Sequence, residues 1–349
     1  MRTYSWSSRD PQGPKDPQGP RDPQSPGKQI PPKLLDFIRE GEKFFVAGHK
    51  EPDGDCVGSQ LALGSVLRRM GKEVVLCSAG PFKRTEIKKY EHFFVSAPAG
   101  KEGAKLIIVD CSAPERTGGL EPYLAGLPCA VIDHHEAGTL PLNPARELYY
   151  IDVNAPSATS MVFRLIEELG MEPVREEAEL LFFGLCTDTG FFRHVDSEGA
   201  ETFELAAALI RFGANPKAAF AAINGGKSLG SRKLLGNILA RTESFFGGKL
   251  LLSYEEYEDF RRLGPESRDS DSLYQLLQAI AGVEAIVIIR QETPDNCSVG
   301  LRSRDWVDVG NIAALFGGGG HKNAAGFYVA ETIAELRPKL IKAFENVFM

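Results

Sequence analysis

The fold is set by the segment Lys43-Phe-Phe-Val-Ala-Gly48-His49-Lys-Glu-Pro-Asp53-Gly-Asp55-Cys-Val-Gly58-Ser59. It opens with a short apolar run typical of a buried strand, and a helical pattern at 57–70 follows and ends at Gly71. Further apolar runs occur at 73–77, 105–110 and 129–133, and helical patterns at 158–169, 175–186 and 199–212. Buried strands that alternate with helices predict an α/β fold with a doubly wound, mainly parallel sheet.

The N-terminal segment 1–31 differs from the rest of the chain. It contains three copies of Asp-Pro-Gln-Gly-Pro or its serine variant and few apolar residues. Such a segment cannot bury enough surface to offset its ordering entropy, so we predict a disordered Pro-rich tail, with partner docking as an alternative role.

Two domains are predicted after this tail, at 32–215 and 243–349, with a helical linker at 216–242 between them. The second is a smaller α/β domain, with strands predicted at 249–254, 285–290, 298–302 and 325–329. Its helices are predicted at 271–281, 309–316 and 333–348. We expect Pro338 to kink the last helix or delay its start.

The composition limits the functional classes. Of 349 residues, 43% are hydrophobic, and no run approaches the roughly 18–20 apolar residues that span a bilayer, so we expect no membrane association. Six cysteines without a C-x-x-C pair predict reduced, buried thiols and a cytoplasmic location. The net charge of −7 disfavours long duplex nucleic acid but allows a small anionic substrate beside bound cations.

A cluster of ionisable side chains follows the first predicted strand. His49, Asp53 and Asp55 lie within seven residues, at the strand end where doubly wound sheets bind ligands. Burying these charges is costly unless they are neutralised, which favours a metal site. The alternative is a capped loop with Asp55 near the helix N-terminus, which leaves His49 and Asp53 unexplained.

Two further strands end in similar residues: Asp110 follows one, and the triplet Asp133-His134-His135 follows the other. Asp188 lies after a helical pattern, in a predicted small-residue loop. Each position alone is compatible with a turn or helix cap. Because three strands deliver carboxylates or imidazoles to one sheet edge, we predict a single site.

The chemistry of this set predicts two divalent cations. Oxygen and imidazole ligands suit Mn²⁺ or Mg²⁺, the imidazoles favour Mn²⁺, and the lack of a thiolate argues against structural zinc. Two such ions about 3.5–4 Å apart activate a water and clamp phosphoryl oxygens. The set therefore predicts hydrolysis of a phosphate ester.

A second candidate site lies in the second domain, where four glycines at 317–320 precede His321 and Lys322. Glycines let the backbone N–H groups approach an anion closely, which favours contact with phosphate or a nucleotide. The alternative is a flexible helix-to-strand turn. Arg302 and Arg304, just upstream, are candidates for bidentate phosphate recognition.

These motifs, in this order, resemble the DHH phosphoesterase superfamily, named for the triplet at 133–135. The glycine–histidine segment resembles the DHHA1 domain of that family, and the resemblance covers nearly the whole chain after residue 31. The size and motif order are most similar to the bacterial nano-RNase and pAp-phosphatase branch. That similarity implies hydrolysis of short oligoribonucleotides and dinucleotides such as pApA, and of pAp.

The resemblance also implies a role for each residue. One Mn²⁺ would be held by His49, Asp53 and Asp110, and the second by Asp55, Asp110, His134 and Asp188. His135 would contact the scissile phosphate, and Asp133 would orient the neighbouring histidine. Substrate contacts would come from Arg193, Arg302, Arg304, Gly318, Gly319, Gly320 and His321.

Other functions within and outside this class are left as alternatives. A pyrophosphatase would lack the glycine–histidine segment, a single-strand exonuclease would need a basic channel, and a cyclic-dinucleotide phosphodiesterase usually carries sensor segments. A non-catalytic nucleotide sensor would have lost a ligand, yet all six are present. A homodimer is an alternative to a monomer.

Overall fold

The computed structural model describes residues 29–112, 114–135, 147–264, 267–304 and 306–348. The chain forms two compact units that divide between Gly225 and Gly226, within the segment predicted as the linker. Most of the predicted tail lies outside the described residues. Among those residues, no helix has the length and apolar character needed to cross a membrane.

The first unit contains a five-stranded, fully parallel sheet with the order β2-β1-β3-β4-β5. Its strands are β1 (Lys43–Ala47), β2 (Glu73–Cys77), β3 (Ala104–Val109), β4 (Cys129–Asp133) and β5 (Glu147–Ile151). This sheet confirms the predicted fold class. The sequence prediction missed β5, an edge strand whose short apolar run, Leu148-Tyr-Tyr-Ile151, is partly exposed at Leu148 and Tyr149.

Helices cover both faces of this sheet, because separate clusters of buried side chains pack on its two sides. They are α1 (Pro32–Glu40), α2 (Gly54–Arg69), α3 (Thr85–Lys88), α4 (Glu121–Leu124), α5 (Ala158–Glu168), α6 (Arg175–Asp188), α7 (Ala200–Arg211) and α8 (Pro216–Asn224).

Helices α2 and α6 approach each other closely through glycines. A Cβ on Gly58 of α2 would lie 2.7 Å from the Leu180 carbonyl oxygen of α6, and one on Gly184 of α6 would lie 3.1 Å from the Asp55 Cα of α2. This close packing brings the C-terminal end of α6 to the N-terminal end of α2.

We expect Gly58→Ala to lower the free energy of unfolding by about 1–3 kcal/mol, because the added methyl overpacks a rigid helix–helix contact. Urea denaturation followed by circular dichroism measures this change. Gly236→Ala is the matched control: Gly236 is also helical, but a Cβ there meets no heavy atom within 4 Å. Equal stability of the two variants would contradict the packing argument.

The second unit contains a six-stranded mixed sheet with the order β10-β11-β9-β8-β7-β6. Its strands are β6 (Glu243–Phe245), β7 (Leu250–Glu255), β8 (Ala285–Thr293), β9 (Asn296–Ser303), β10 (Gly319–His321) and β11 (Ala324–Val329). Only β7 and β8 pair in parallel; the other pairs are antiparallel.

The helices of the second unit are α9 (Leu229–Ala240), α10 (Tyr257–Leu263), α11 (Ser270–Gln278), α12 (Val309–Ala314) and α13 (Ile333–Phe348). The alternative interpretation of the glycine segment as a helix-to-strand turn applies only to Gly317 and Gly318, because Gly319–His321 forms the edge strand β10. The short runs at β6 and β10 carry too few apolar residues to be predicted as strands.

Candidate metal centre

The site lies at the carboxyl edge of the parallel sheet. His49 follows β1, Asp110 follows β3, and Asp133 ends β4, so three neighbouring strands supply it. Asp53 and Asp55 lie where α2 begins. Their side chains form two adjacent groups.

The first group surrounds His49. Its Nε2 atom lies 3.8 Å from Asp53 Oδ1 and 3.5 Å from Asp110 Oδ2. Its Nδ1 atom lies 2.8 Å from the Lys50 carbonyl oxygen. Since a carbonyl only accepts, Nδ1 carries a proton, and in the neutral ring Nε2 presents a lone pair to the carboxylates.

The second group surrounds His134. Its Nε2 atom lies 3.5 Å from both Asp110 Oδ1 and Asp188 Oδ2, and 3.8 Å from Asp55 Oδ2. Its Nδ1 atom lies 3.2 Å from the Ala155 carbonyl oxygen. Both histidines therefore use Nδ1 for the backbone and direct Nε2 at acidic oxygens, the arrangement typical of metal-ligating histidines.

Asp110 belongs to both groups, with one carboxylate oxygen facing each histidine. It is 2% exposed and has a φ of 57°, a left-handed conformation that aspartate tolerates and that turns its carboxylate out of the strand direction. Asp110 Oδ1 and His134 Nε2 are buried, and neither has a hydrogen-bond partner among the described residues. Unsatisfied buried ligand atoms of this kind fit a divalent cation.

The electrostatics of the site also favour a cation. Burial, together with repulsion from Asp110 and Asp188, raises the pKa of Asp55 well above its usual range. Burial and the nearby Asp110 raise the pKa of Asp188 to about 6. Burial lowers the pKa of His134, but the surrounding carboxylates outweigh it and raise the value to about 9. Carboxylates this close repel one another, and a bound cation would relieve that repulsion.

The His49 group behaves differently. Burial lowers the pKa of His49, but Asp110 and Asp53 outweigh it and raise the value far above its usual range. Burial opposes ionisation of Asp53, yet its contact with His49 lowers the pKa of Asp53 to about 2. The two carboxylates around His49 thus favour a positive charge at this position.

Asp53, not Asp55, is the helix cap. Asp53 Oδ1 accepts hydrogen bonds at 3.1 Å from the N–H groups of Asp55 and Cys56. Asp55 does lie in the first turn of α2, as the alternative of a capped loop required, but its carboxylate does not cap that helix. Asp55 is 1% exposed and points away from its own helix.

Asp55 is held by the N-terminus of α5. Its carboxylate accepts hydrogen bonds from the Ala158 and Thr159 N–H groups, at 2.6 and 2.9 Å, and from Thr159 Oγ1 at 2.7 Å. A helix N-terminus stabilises an anion in this position. Sequence reasoning missed Ala158 and Thr159; the run of small and hydroxyl residues at 157–160, which starts α5, is the pattern that could have indicated them.

Asp188 was predicted to lie in a loop, and this prediction is wrong. It is the last residue of α6. Its carboxylate reaches His134 because α6 packs closely on α2 through Gly58 and Gly184.

His135 stands beside the second group. Its Nδ1 atom donates to Asp133 Oδ1 at 2.8 Å, and that oxygen also accepts from the His134 and His135 N–H groups. The hydrogen bond to Asp133 raises the pKa of His135. Since the His135 side chain is 42% exposed, its Nε2 atom is available for a ligand outside the cluster.

The remaining candidates are divided between the units. Arg193 is exposed in the first unit, where its Nε atom donates to the Gly190 carbonyl oxygen at 2.8 Å. Arg304 follows β9 in the second unit and donates to the Gln278 carbonyl oxygen.

Arg302 and His321 lie on one face of the second sheet. In the strand register both residues lie opposite Ala324 of β11, one on each side, so their side chains point the same way. The Arg302 guanidinium stacks over the Tyr274 ring, 4.8 Å from its centroid, and His321 is exposed.

At three of the four positions the fold itself requires a glycine. Gly317 has a φ of 76°, a Cβ on Gly318 would lie 2.3 Å from Phe327 Cβ, and one on Gly320 would lie 2.5 Å from the Ala324 carbonyl oxygen. Gly319 has no such reason, because a Cβ there meets no heavy atom within 4 Å. The fold therefore does not require a glycine at 319.

The fold and site define a class: a two-domain α/β protein whose parallel-sheet domain gathers histidines and aspartates that can hold divalent cations. Family models match both domains, the DHH family N-terminal domain over residues 43–185 and the DHHA1 domain over residues 247–349. The chain belongs to the DHH family of phosphoesterases and is a hydrolase.

Named relatives cover most of the chain. It is 32% identical over 296 residues to the bifunctional oligoribonuclease and PAP phosphatase NrnA of Thermus thermophilus, spanning 81% of this chain and 82% of that protein. The protein of the same name from Bacillus subtilis is 27% identical over 297 residues, or 84% and 91% of the two chains. A Bacteroides fragilis exopolyphosphatase-related protein shares the fold, with a TM-score of 0.71, 21% identity, and coverage of 90% and 96%.

Proposed function

We propose that this chain hydrolyses short oligoribonucleotides and dinucleotides such as pApA to mononucleotides, and pAp to AMP. The observation that carries the proposal is Asp110, whose two oxygens face two separate histidine groups. The names of the Thermus and Bacillus relatives support the substrate class.

Two divalent cations, with Mn²⁺ preferred and Mg²⁺ as an alternative, would be shared at Asp110. His49 and Asp53 complete the first set of ligands, and Asp55, His134 and Asp188 complete the second. Such a pair supplies a nucleophile from water at neutral pH and offsets the charge that develops on the phosphoryl oxygens.

The residues of the chain supply positioning and proton donation. Asp133 is fully buried and holds Nδ1 of His135, so the proton on Nε2 can be donated to a phosphoryl oxygen. The raised pKa of His135 favours the protonated ring that this role needs. His135 therefore binds the scissile phosphate, and Asp133 is a positioning residue.

The second unit would hold the nucleotide. Arg302 and His321 offer a guanidinium and an imidazole on one sheet face, where they can bind phosphate or stack on a base. Next to them, the space beside Gly319 of β10 is open, so an anion could approach the backbone there. Arg193 and Arg304 remain candidates for substrate contact; each donates a hydrogen bond to a backbone carbonyl oxygen.

A panel of substrates tests the proposal. The purified chain with Mn²⁺ is assayed against pAp, pApA, a five-nucleotide RNA, pyrophosphate and cyclic di-AMP, and products are resolved by chromatography. We expect mononucleotides from pApA and the short RNA, and AMP from pAp. Turnover of pyrophosphate or cyclic di-AMP alone would assign a different specificity, and no turnover with any cation would contradict catalysis.

Gly319→Ala tests nucleotide contact at β10 without changing the stability of the fold. We expect KM for pApA to rise about tenfold or more, because the methyl group displaces an anion from the backbone donors and a lost charge-assisted hydrogen bond costs about 1.5–3 kcal/mol. Tm should not change, since the methyl meets no protein atom. Steady-state kinetics with pApA and with an activated aryl phosphate, which lacks a nucleoside, measure the effect. Unchanged KM for pApA would mean that β10 does not bind the substrate.

A further inference from the structure

We propose that Cys56 is an additional ligand at the His49 group, where it lets a thiophilic divalent cation such as Zn²⁺ replace Mn²⁺. This inference rests on the proposed function, because it takes His49 and Asp110 as cation ligands. The sequence interpretation treated all six cysteines as buried thiols without a metal role. The structure separates Cys56 from the others.

The geometry around Cys56 is that of a ligand set. Cys56 Sγ, a ring nitrogen of His49 and a carboxylate oxygen of Asp110 all lie within 4.8 Å of one another. In a tetrahedral zinc site with a Zn–S bond of about 2.3 Å and Zn–N and Zn–O bonds of about 2.0–2.2 Å, ligand atoms lie roughly 3.5 Å apart. His49 Nε2 and Asp110 Oδ2 already have that separation, 3.5 Å. The remaining separations, which are at most 4.8 Å, would have to shorten when a cation binds.

Cys56 is a buried thiol whose place in the fold would stabilise a thiolate once a cation binds it. It lies in the first turn of the 16-residue helix α2, and its N–H group donates to Asp53 Oδ1. The N-terminal end of a helix stabilises negative charge, as it does at reactive cysteines. Cys56 is fully buried, so a metal and not solvent must neutralise that charge.

Gln60 holds the Cys56 thiol in its protonated form, so only a cation that binds sulfur strongly would displace the proton. Its Nε2 atom donates to the Val46 and Cys77 carbonyl oxygens, at 2.9 and 3.0 Å, which fixes the amide and turns Oε1 towards the thiol. The Cys56 thiol donates to that oxygen, with 3.6 Å between sulfur and oxygen. Gln60 thus favours the protonated thiol.

A cation that uses Cys56 must displace this proton. The S–H bond breaks, the proton passes to solvent water, and the sulfur electron pair forms the metal–sulfur bond. Zn²⁺ forms strong bonds to thiolates, whereas Mn²⁺ prefers oxygen ligands. Mn²⁺ therefore leaves the thiol protonated against Gln60, and Zn²⁺ takes it as a ligand and holds the Mn²⁺ position.

Cobalt spectroscopy on the full chain, without substrate, tests the inference. Co²⁺ occupies zinc-type sites, and a thiolate ligand produces a sulfur-to-cobalt charge-transfer band in the near ultraviolet. We expect the band in the wild type and in the matched control Cys77→Ala, which removes another buried thiol of the same sheet domain, and no band in Cys56→Ala. Zn²⁺ affinity, measured by competition with a chromophoric chelator, should fall at least about tenfold in Cys56→Ala while Mn²⁺ affinity is unchanged.

Co²⁺ binding to the wild type without the band, or a band that persists in Cys56→Ala, would overturn the role of Cys56 and leave the proposed function intact. Failure of the wild type to bind Co²⁺ or Mn²⁺ would instead contradict the proposed function. Cys56→Ser, which keeps a hydrogen-bond donor to Gln60, gives the same comparison if the alanine variant does not fold.

Discussion

Asp110→Asn is expected to reduce Mn²⁺-dependent hydrolysis of pApA by at least about 10³-fold, because the cations supply several kcal/mol of transition-state stabilisation. An amide offers one neutral oxygen in place of the two charged oxygens that face His49 and His134. Asparagine also tolerates the left-handed backbone at this position, so the substitution changes charge and not conformation. Initial rates measure the loss of hydrolysis, and isothermal titration with Mn²⁺ measures the accompanying loss of cation affinity.

Asp152→Asn is the matched control. Asp152 is also a buried aspartate at the end of a strand of the same sheet, but its carboxylate binds the Asn154 N–H group and Arg164. We expect Asp152→Asn to keep its turnover per folded molecule and its Mn²⁺ affinity. Near wild-type turnover of Asp110→Asn would contradict the shared-carboxylate assignment.

His135→Ala has the second largest expected effect. We expect kcat for pApA to fall by about 10²–10⁴-fold, the range for loss of a positioned proton donor. Mn²⁺ affinity should stay at the wild-type value, because His135 uses Nδ1 to bind Asp133 and is assigned to the substrate and not to a cation. A loss of kcat without a loss of Mn²⁺ affinity would distinguish His135 from Asp110, whose replacement is expected to lower both.

The alternative for His135 is direct ligation, since its ring also lies within reach of Asp110 and His134. A fall in Mn²⁺ affinity of His135→Ala as large as that of Asp110→Asn would move His135 to the ligand set. Asp133→Asn adds a second comparison: it should lower kcat through misorientation of His135 and leave Mn²⁺ bound.

The sequence predicted the sheet and most of the candidate site because both follow from local patterns. Apolar runs mark β1, β3 and β4, and the acidic or imidazole residues come directly after them. In a parallel sheet, residues that follow the strands all lie at the carboxyl edge of the sheet, so their positions in the sequence are enough to bring them to one site. That argument needs no knowledge of packing between distant segments.

The misassigned residues depend on such packing. Asp188 was placed in a loop because the helix pattern weakens near small residues, yet those same small residues let α6 approach α2 and deliver its carboxylate. Asp53 and Asp55 are both near the start of α2, and only the contact of Asp55 with α5 decides which one caps the helix.

Two further features escaped prediction for the same reason. In the sequence, nothing distinguishes Cys56 from the other buried thiols. Only the fold places its sulfur near His49 and Asp110. The glycine segment looks like a turn because β10 is an edge strand held by its pairing with β11, a contact that has no local sequence pattern.

Anomalous diffraction at the manganese absorption edge, from crystals of the full chain grown with Mn²⁺, is the most direct test of the central claim that Asp110 divides one site between two cations. We predict two manganese peaks per chain, one beside His49 and Asp53 and the other beside Asp55, His134 and Asp188, with the Asp110 carboxylate touching both. A single peak, or two peaks that do not share Asp110, would contradict it.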